Sequence, residues 1–154
     1  MQITILQIGK TKHQFISEAE QEYLKRLSPY ARIKQQTLKE GRVQNNPQVT
    51  KADEAKSFLE ALPKHTFLIA LDETGRQFTS PEFAKQIETI KDFGEANITF
   101  IIGGPFGLDD SIRKSANLIL SFSKFTFTHE MIRILLLEQL YRAMMIISNK
   151  TYHY

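Results

Sequence analysis

Three short, predominantly apolar runs constrain the fold of this chain more than any other feature. They cover residues 66–71, 98–102 and 118–122, and polar or glycine-containing segments separate them. A continuous apolar run of five or six residues is typical of a strand that is buried on both faces of a parallel sheet. Helix-like segments alternate with the strand-like runs along the chain. The pattern therefore predicts an α/β fold, with a mostly parallel sheet and helices on both of its faces.

The remaining segments complete this alternation. Residues 3–8 predict a first strand, and residues 32–38 predict a weaker strand whose polar side chains suit a sheet edge. Helices are expected over residues 14–27, over 51–62 after a cap at Thr50, and from Ser80-Pro81 to about residue 93. The polar residues 39–50 are expected to form a loop. The last helix is expected to begin near Thr128 and to end near Ser148.

Length and composition limit the class of protein. The 154 residues predict one domain over residues 1–154. The absence of cysteine excludes disulfides and thiolate chemistry, and the four scattered histidines show no spacing typical of a metal site. The amino terminus has no signal-peptide pattern, so we expect a cytoplasmic protein with no membrane segment. A net charge of +3 is compatible with an RNA partner but does not require one.

The last helix carries information about assembly. Its apolar residues cover nearly the whole circumference, and only Arg133, Glu138, Gln139 and Arg142 interrupt them. These charges are rare in a membrane span. So apolar a helix either lies at the centre of the core or also packs against another subunit. We favour the subunit interface, because a small domain has little room for a fully internal helix.

Two loops at the expected carboxyl ends of strands are candidate ligand sites, because ligands of open α/β sheets bind at this edge. The glycine-rich turn at residues 103–107 matches neither a dinucleotide fingerprint nor a Walker A loop. It is either a tight turn or a place where a ligand approaches the backbone. Residues 123–128 alternate hydroxyl and phenylalanine side chains, which suits either a ligand pocket or a strand end that leads to a helix cap. The terminal Tyr152-His153-Tyr154 is either frayed or able to stack on a base.

Several of these motifs together resemble one family. The runs IGGPFGL (102–108) and LSFSKFTFTHEMIRILLLEQLYRA (120–143), with the final YHY, resemble the RlmH family of ribosomal RNA large subunit pseudouridine N3-methyltransferases, in the SPOUT superfamily. The segments QIGKTK (7–12), EYLKRL (22–27) and LDETGRQFTS (71–80) match it as well, so the likeness spans the whole chain. The resemblance implies a C-terminal trefoil knot, bound S-adenosyl-L-methionine and a homodimer with active sites at its interface. It also implies that the substrate is a pseudouridine of 23S ribosomal RNA, met in the large subunit or the assembled ribosome.

The resemblance also implies site residues. The family's cofactor contacts fall on Leu71, Gly103, Phe122, Ser123, Lys124, Phe125, Thr126 and Phe127. His153 is the candidate base, since a histidine suits proton transfer at neutral pH. Arg142 is expected to hold RNA or to stabilise a developing anion, and Tyr152 to stack on or orient the base. One departure is Tyr154, which ends the chain where the family has a basic residue; Lys150 is a partial substitute for that phosphate contact.

Two other functions remain open on the sequence. The first alternative is a non-catalytic ribosome- or RNA-binding α/β module, although the intact glycines at 103 and 104 favour the enzyme. The second is a flavodoxin-like phosphoacceptor domain. That reading has little support, because Asp72-Glu73 is the only acidic pair at an expected strand end.

Overall fold

The computed structural model describes residues 1–41, 46–92 and 97–152. Within these residues, five strands form one sheet, and every pairing between neighbouring strands is parallel. The strands are β1 (Gln2–Ile8), β2 (Arg32–Leu38), β3 (Phe67–Gln77), β4 (Asn97–Ile102) and β5 (Leu118–Ser121). Their order is β2-β1-β4-β3-β5. The predicted parallel α/β fold is confirmed, and β2 is an edge strand as its polar composition predicted.

In the described part of the chain, five helices cover the sheet: α1 (Gln14–Leu27), α2 (Pro47–Ala61), α3 (Ser80–Asp92), α4 (Asp110–Ser115) and α5 (His129–Ile147). One apolar core joins a sheet face to α1, α3 and α5, and a smaller core joins the other face to α2 and α4. β4 shows why apolar runs predict such a layer, since its residues 98–102 are all buried. The expected helices on both faces are confirmed, while the trefoil knot stays a prediction.

Two helix boundaries differ from the sequence-based expectation, each because of a local contact. α2 begins at Pro47 rather than at residue 51, because the side chain of Asn46 accepts hydrogen bonds from two backbone N–H groups of the first turn. α3 is capped by Thr79 rather than Ser80, since the Thr79 hydroxyl accepts from the N–H of Glu82, whose carboxylate accepts from the N–H of Thr79. Part of the expected loop 39–50 lies outside the described residues.

β3 is longer than expected. The apolar run that predicted this strand ends at residue 71, but residues 72–75 form an irregularity inside the strand, and Arg76 and Gln77 pair with β5 again. Gly75 makes this close passage possible, because a Cβ atom there would lie 2.6 Å from the carbonyl oxygen of Ile119. Asp72 also accepts a hydrogen bond of 2.8 Å from Arg113, which ties the irregular segment to α4. β5 ends at Ser121, one residue earlier than predicted.

Candidate functional site

The predicted cofactor-binding segments come together where β4 and β5 end on either side of the middle of β3. Leu71 pairs with Ile102 on one side and with Leu120 on the other. Gly103 follows Ile102 directly, and Phe122 follows Leu120 by two residues. The strand register therefore places all three predicted segments at one edge of the sheet, where open α/β sheets bind their ligands.

The turn after β4 is tight and closes on itself. The N–H of Gly107 donates to the carbonyl oxygen of Gly104 at 3.0 Å, and Gly107 has a φ of +77°, which favours glycine. A Cβ atom on Gly103 would lie 2.9 Å from Cδ2 of Leu108 and 3.0 Å from the Gly107 carbonyl. The glycines are thus required by the shape of the turn itself.

A buried carboxylate supports this turn from below. Glu54 of α2 is 3% exposed, and it accepts hydrogen bonds from the backbone N–H groups of Gly41 and Gly104. Burial raises the pKa of Glu54, and the two N–H donors oppose that increase. A Cβ atom on Gly104 would lie 2.9 Å from Oε1 of Glu54, so glycine is needed here for the close approach. Sequence reasoning missed Glu54, because nothing in its helix indicates a partner on another element.

The loop between β5 and α5 displays its side chains to the surface. Phe122 packs partly on the larger core, whereas Phe125 is 80% and Phe127 43% exposed. The other predicted contacts in this loop are Ser123, which is half-buried, and Lys124 and Thr126, which are exposed. Local hydrogen bonds fix its start, since the Ser123 hydroxyl accepts from the N–H of Phe125 at 3.0 Å. α5 begins at His129, next to its predicted start near Thr128, and the Thr128 side chain caps it by accepting from the N–H of Met131.

A cavity of about 360 Å³ opens beside this loop. Its walls come from α3 and the residues before it, from the end of β5, from the loop and from α5. They are Phe78, Thr79, Ser80, Phe83, Leu120, Ser121, Phe122, Phe127, Leu135 and Gln139. Phe122 and Phe127 are the predicted cofactor contacts that line it, while Leu71 and Gly103 lie at the neighbouring strand ends. Another depression, of about 420 Å³ between α2 and α4, lies on the opposite face of the sheet and contains none of the predicted residues.

The predicted catalytic residues of α5 and the tail contact one another. The guanidinium carbon of Arg142 lies 4.0 Å from the centre of the Tyr152 ring, and both side chains bind the Glu138 carboxylate. Burial, followed by the hydrogen bond to Glu138, raises the pKa of Tyr152 to about 12. Tyr152 also packs against Tyr141, with ring centres 5.5 Å apart. Tyr152 is therefore packed along α5 rather than frayed, whereas His153 and Tyr154 lie outside the described residues.

A buried arginine fixes the loop after β1 beside the start of α5. Arg133 is 1% exposed, and its guanidinium donates to the carbonyl oxygens of Ile8 and Gly9 at 2.6 and 2.9 Å and to the Thr11 hydroxyl at 2.9 Å. Glu130 accepts from the N–H groups of Lys12 and His13 in the same loop. The QIGKTK segment is thereby held at the edge of the sheet that carries the candidate site.

The described residues hold neither a metal site nor a membrane segment. Across residues 1–41, 46–92 and 97–152, no group of three histidine, aspartate or glutamate residues is arranged to bind a metal ion. No helix in this part of the chain is long and apolar enough to cross a membrane.

Comparison with known proteins gives one consistent result. The family model described as a predicted SPOUT methyltransferase matches residues 1–153. Proteins named ribosomal RNA large subunit methyltransferase H are similar over their whole length. Those of Natranaerobius thermophilus and Halothermothrix orenii are 42% and 41% identical to the chain, and the alignments cover 100% and 99% of both partners.

A solved structure supports the fold. A probable methylase family protein from Haemophilus influenzae has a TM-score of 0.63 at 16% identity, over 99% of this chain and 70% of that one. At this identity the likeness concerns the fold alone. The match to the family model and the identities near 40%, both along essentially the entire chain, establish that the protein belongs to the SPOUT methyltransferase family, among relatives named ribosomal RNA large subunit methyltransferase H.

Proposed function

We propose that this protein transfers a methyl group from S-adenosyl-L-methionine to N3 of a pseudouridine in 23S ribosomal RNA. The observation that carries the proposal is the 42% identity, over the full length of both chains, to a protein named ribosomal RNA large subunit methyltransferase H. The cofactor, the target atom and the assembled ribosome as substrate come from the family resemblance. The proposal places the cofactor on Leu71, Gly103 and the loop of residues 122–127.

The residues at this edge of the sheet suit S-adenosyl-L-methionine. Phe122 and Phe127 supply flat apolar walls for an adenine ring, while Ser121 and Thr79 line the same cavity. A cavity of about 360 Å³ falls within the range of small-molecule sites. The turn at Gly103 lets a ligand approach the backbone. When bound, this cofactor supplies a methyl group on a positively charged sulfur, which needs little further activation.

The residues of this chain then have to position the RNA base and accept one proton from it. N3 of pseudouridine carries a hydrogen that must leave as the new N–CH₃ bond forms, so a base is needed. We assign this role to His153, because histidine side chains in general titrate near neutral pH. Tyr152 is unsuited to it, because a phenol with a pKa of about 12 stays protonated at pH 7. Arg142, which keeps its charge, stabilises the negative charge that develops on the base.

The proposed assembly is a homodimer that uses α5. Two large apolar side chains of this helix, Met131 and Ile146, are each 38% exposed, and Leu135 is half-buried at the cavity. An apolar helix face with this exposure favours a subunit contact. The contact would bring a second copy close to the cavity and to Arg142.

The deciding experiment is methyl transfer to ribosomes. Assembled ribosomes from a strain that lacks the modification are incubated with the protein and methyl-labelled S-adenosyl-L-methionine, and digested nucleosides are identified by mass spectrometry. We expect label in N3-methylpseudouridine and none in ribosomes that carry uridine at the target position. Truncation after Thr151 should leave cofactor affinity, measured by calorimetry, unchanged and should remove activity.

The other outcomes separate the alternatives. Binding to ribosomes without methyl transfer or cofactor binding would favour the non-catalytic RNA-binding module. Full activity after truncation would refute the assignment of Tyr152 and His153. Label in a different nucleoside would refute the proposed target atom while leaving methyl transfer intact.

A further inference from the structure

A chain of hydrogen bonds joins the wall of the cavity to the tail, and none of its central members was assigned a role from the sequence. The hydroxyl of Ser80 donates to Oε1 of Gln139 at 2.8 Å. The amide nitrogen of Gln139 donates to Oε2 of Glu138 at 2.6 Å. Ser80 and Gln139 both line the cavity, so the chain starts at the proposed cofactor site.

The other oxygen of Glu138 accepts hydrogen bonds from both Arg142 and Tyr152. Oε1 accepts from Nε and Nη2 of Arg142 at 3.1 and 2.7 Å, and from the hydroxyl of Tyr152 at 3.0 Å. The Glu138 and Arg142 side chains are 18% and 22% exposed, so solvent competes only partly with these bonds. One carboxylate thus contacts the arginine, the tyrosine and the cavity wall at once.

The geometry of Arg142 depends on these bonds. The guanidinium carbon of Arg142 lies over the Tyr152 ring, 4.0 Å from its centre. An arginine has many side-chain rotamers, and a carboxylate that binds two of its nitrogens selects among them. Tyr152 closes the arrangement, because its hydroxyl binds the same oxygen while its ring contacts the guanidinium.

We infer that Glu138 is a positioning residue for methyl transfer, which aligns Arg142 and Tyr152 and couples them through Gln139 to the cofactor cavity. The inference rests on the proposed function. It assigns to Glu138 a role in orienting the groups that meet the RNA base, and no direct contact with substrate. The hydroxyl of Tyr152 donates to this carboxylate, so the residue acts here as a hydrogen-bond donor.

The chain offers a matched control for this arrangement. Glu22 and Arg26 of α1 have the same spacing of four residues, with Nε of Arg26 2.8 Å from the Glu22 carboxylate. Arg26 also lies over an aromatic ring, 5.6 Å from the centre of Tyr23. This pair is far more exposed, because the side chains of Glu22 and Arg26 are 52% and 45% accessible. Glu22→Gln therefore removes a similar ion pair without touching the cavity.

The test compares Glu138→Gln, Tyr152→Phe, the double variant and Glu22→Gln in ribosome methylation under steady-state conditions. We expect each of the first two variants to lower kcat by about ten- to a hundredfold, because small misplacements of reacting groups have effects of this size. KM for ribosomes and the Kd for S-adenosyl-L-methionine should change by less than about threefold, and Glu22→Gln should match wild type. The double variant should be little worse than the poorer single variant, since both changes disturb one unit.

A spectroscopic measurement shows whether the contact between Glu138 and Tyr152 has been disturbed. The tyrosinate absorbance of wild type, minus that of Tyr152→Phe, reports the titration of Tyr152 alone. Its pKa of about 12 should fall in Glu138→Gln, because the negative charge and its hydrogen bond are lost.

A wild-type kcat in Glu138→Gln would overturn the inference, and so would a loss of kcat with an equal loss of cofactor affinity. If Glu138→Gln fails to fold, Tyr152→Phe decides, and its unchanged kcat would overturn the coupling. Absence of methyl transfer by the wild-type chain would refute the proposed function as well.

Discussion

Replacement of Arg133 by methionine should destabilise the protein far more than replacement of any surface arginine. The guanidinium donates three hydrogen bonds to the loop after β1, at 2.6, 2.9 and 2.9 Å, and its side chain is almost wholly buried. Methionine fills much of the same volume but leaves the carbonyl oxygens of Ile8 and Gly9 without these donors. It also removes the cation that attracts the buried carboxylates Glu20 and Glu130. Removal of one partner from such a buried cluster costs about 3–5 kcal/mol.

The measurement is urea denaturation followed by circular dichroism, at one fixed protein concentration in case the chain dimerises. Arg26→Met is the matched control, because Arg26 forms an exposed ion pair worth about 0–1 kcal/mol. Arg133→Lys should lie between the two, since an ammonium keeps the charge but cannot reproduce the fork of donors. A loss in Arg133→Met no greater than that in Arg26→Met would refute the reasoning that the buried network stabilises the fold.

The pH dependence of this loss has a definite sign. Burial raises the pKa of Glu20 above its ordinary 4.5, and the attraction to Arg133 holds that increase back. Without Arg133 the pKa of Glu20 in the folded state rises further. A carboxyl whose pKa is raised by folding lowers stability as the pH rises from its unfolded pKa through its folded pKa. The destabilisation by Arg133→Met should therefore be smaller near pH 4 than at pH 7.

Two further substitutions test the turn after β4. Gly103→Val should abolish cofactor binding in calorimetry, while the far-ultraviolet circular dichroism stays unchanged. The reason is that a Cβ atom at this position would lie 2.9–3.0 Å from atoms of Gly107 and Leu108. Unchanged affinity would refute the pocket assignment. Glu54→Gln should flatten the pH dependence of stability between about pH 4.5 and 7, since burial raises the pKa of Glu54 and the wild-type chain loses stability as that carboxyl ionises. An identical pH profile in wild type and variant would contradict this account of Glu54.

Most of the fold could be predicted from periodicity, because each element buries a face whose pattern is local. The apolar runs at 98–102 and 118–122 identified β4 and β5, and the spacing in residues 14–27 identified α1 with its observed bounds. The missed features depend on contacts between distant elements or on one unrecognised cap. β3 continues beyond residue 71 only because its second half pairs with β5 after a shift in register. Asn46-Pro47 is a recognisable helix start, but the polar residues around it were interpreted as loop.

The candidate site could be predicted only in part. Leu71 lies in the middle of β3, but it converges with Gly103 and Phe122 as expected, because the parallel register sets it beside the ends of β4 and β5. The spacing of Glu138 and Arg142 by four residues could have indicated an ion pair. The addition of Tyr152 to that pair, however, depends on how the tail folds back, which the sequence pattern does not encode. The carbonyl partners of Arg133 are more than a hundred residues away along the chain, so no local signal could identify them.

The position of these groups along α5 explains how one helix contacts both the loop of residues 122–128 and the tail. Its first turns are fixed to the loop after β1 through Glu130 and Arg133, directly after the aromatic loop that ends at Thr128. Glu138 lies ten residues after Thr128, or about 15 Å along the axis, and it binds the tail through Tyr152. α5 is one continuous helix that packs against both α1 and α3. The distance between the loop and Glu138 is therefore set by helix geometry. Gln139, the residue after Glu138, lines the cavity and donates to the Glu138 carboxylate, so the same rigid helix carries both the cavity wall and the group that holds the tail.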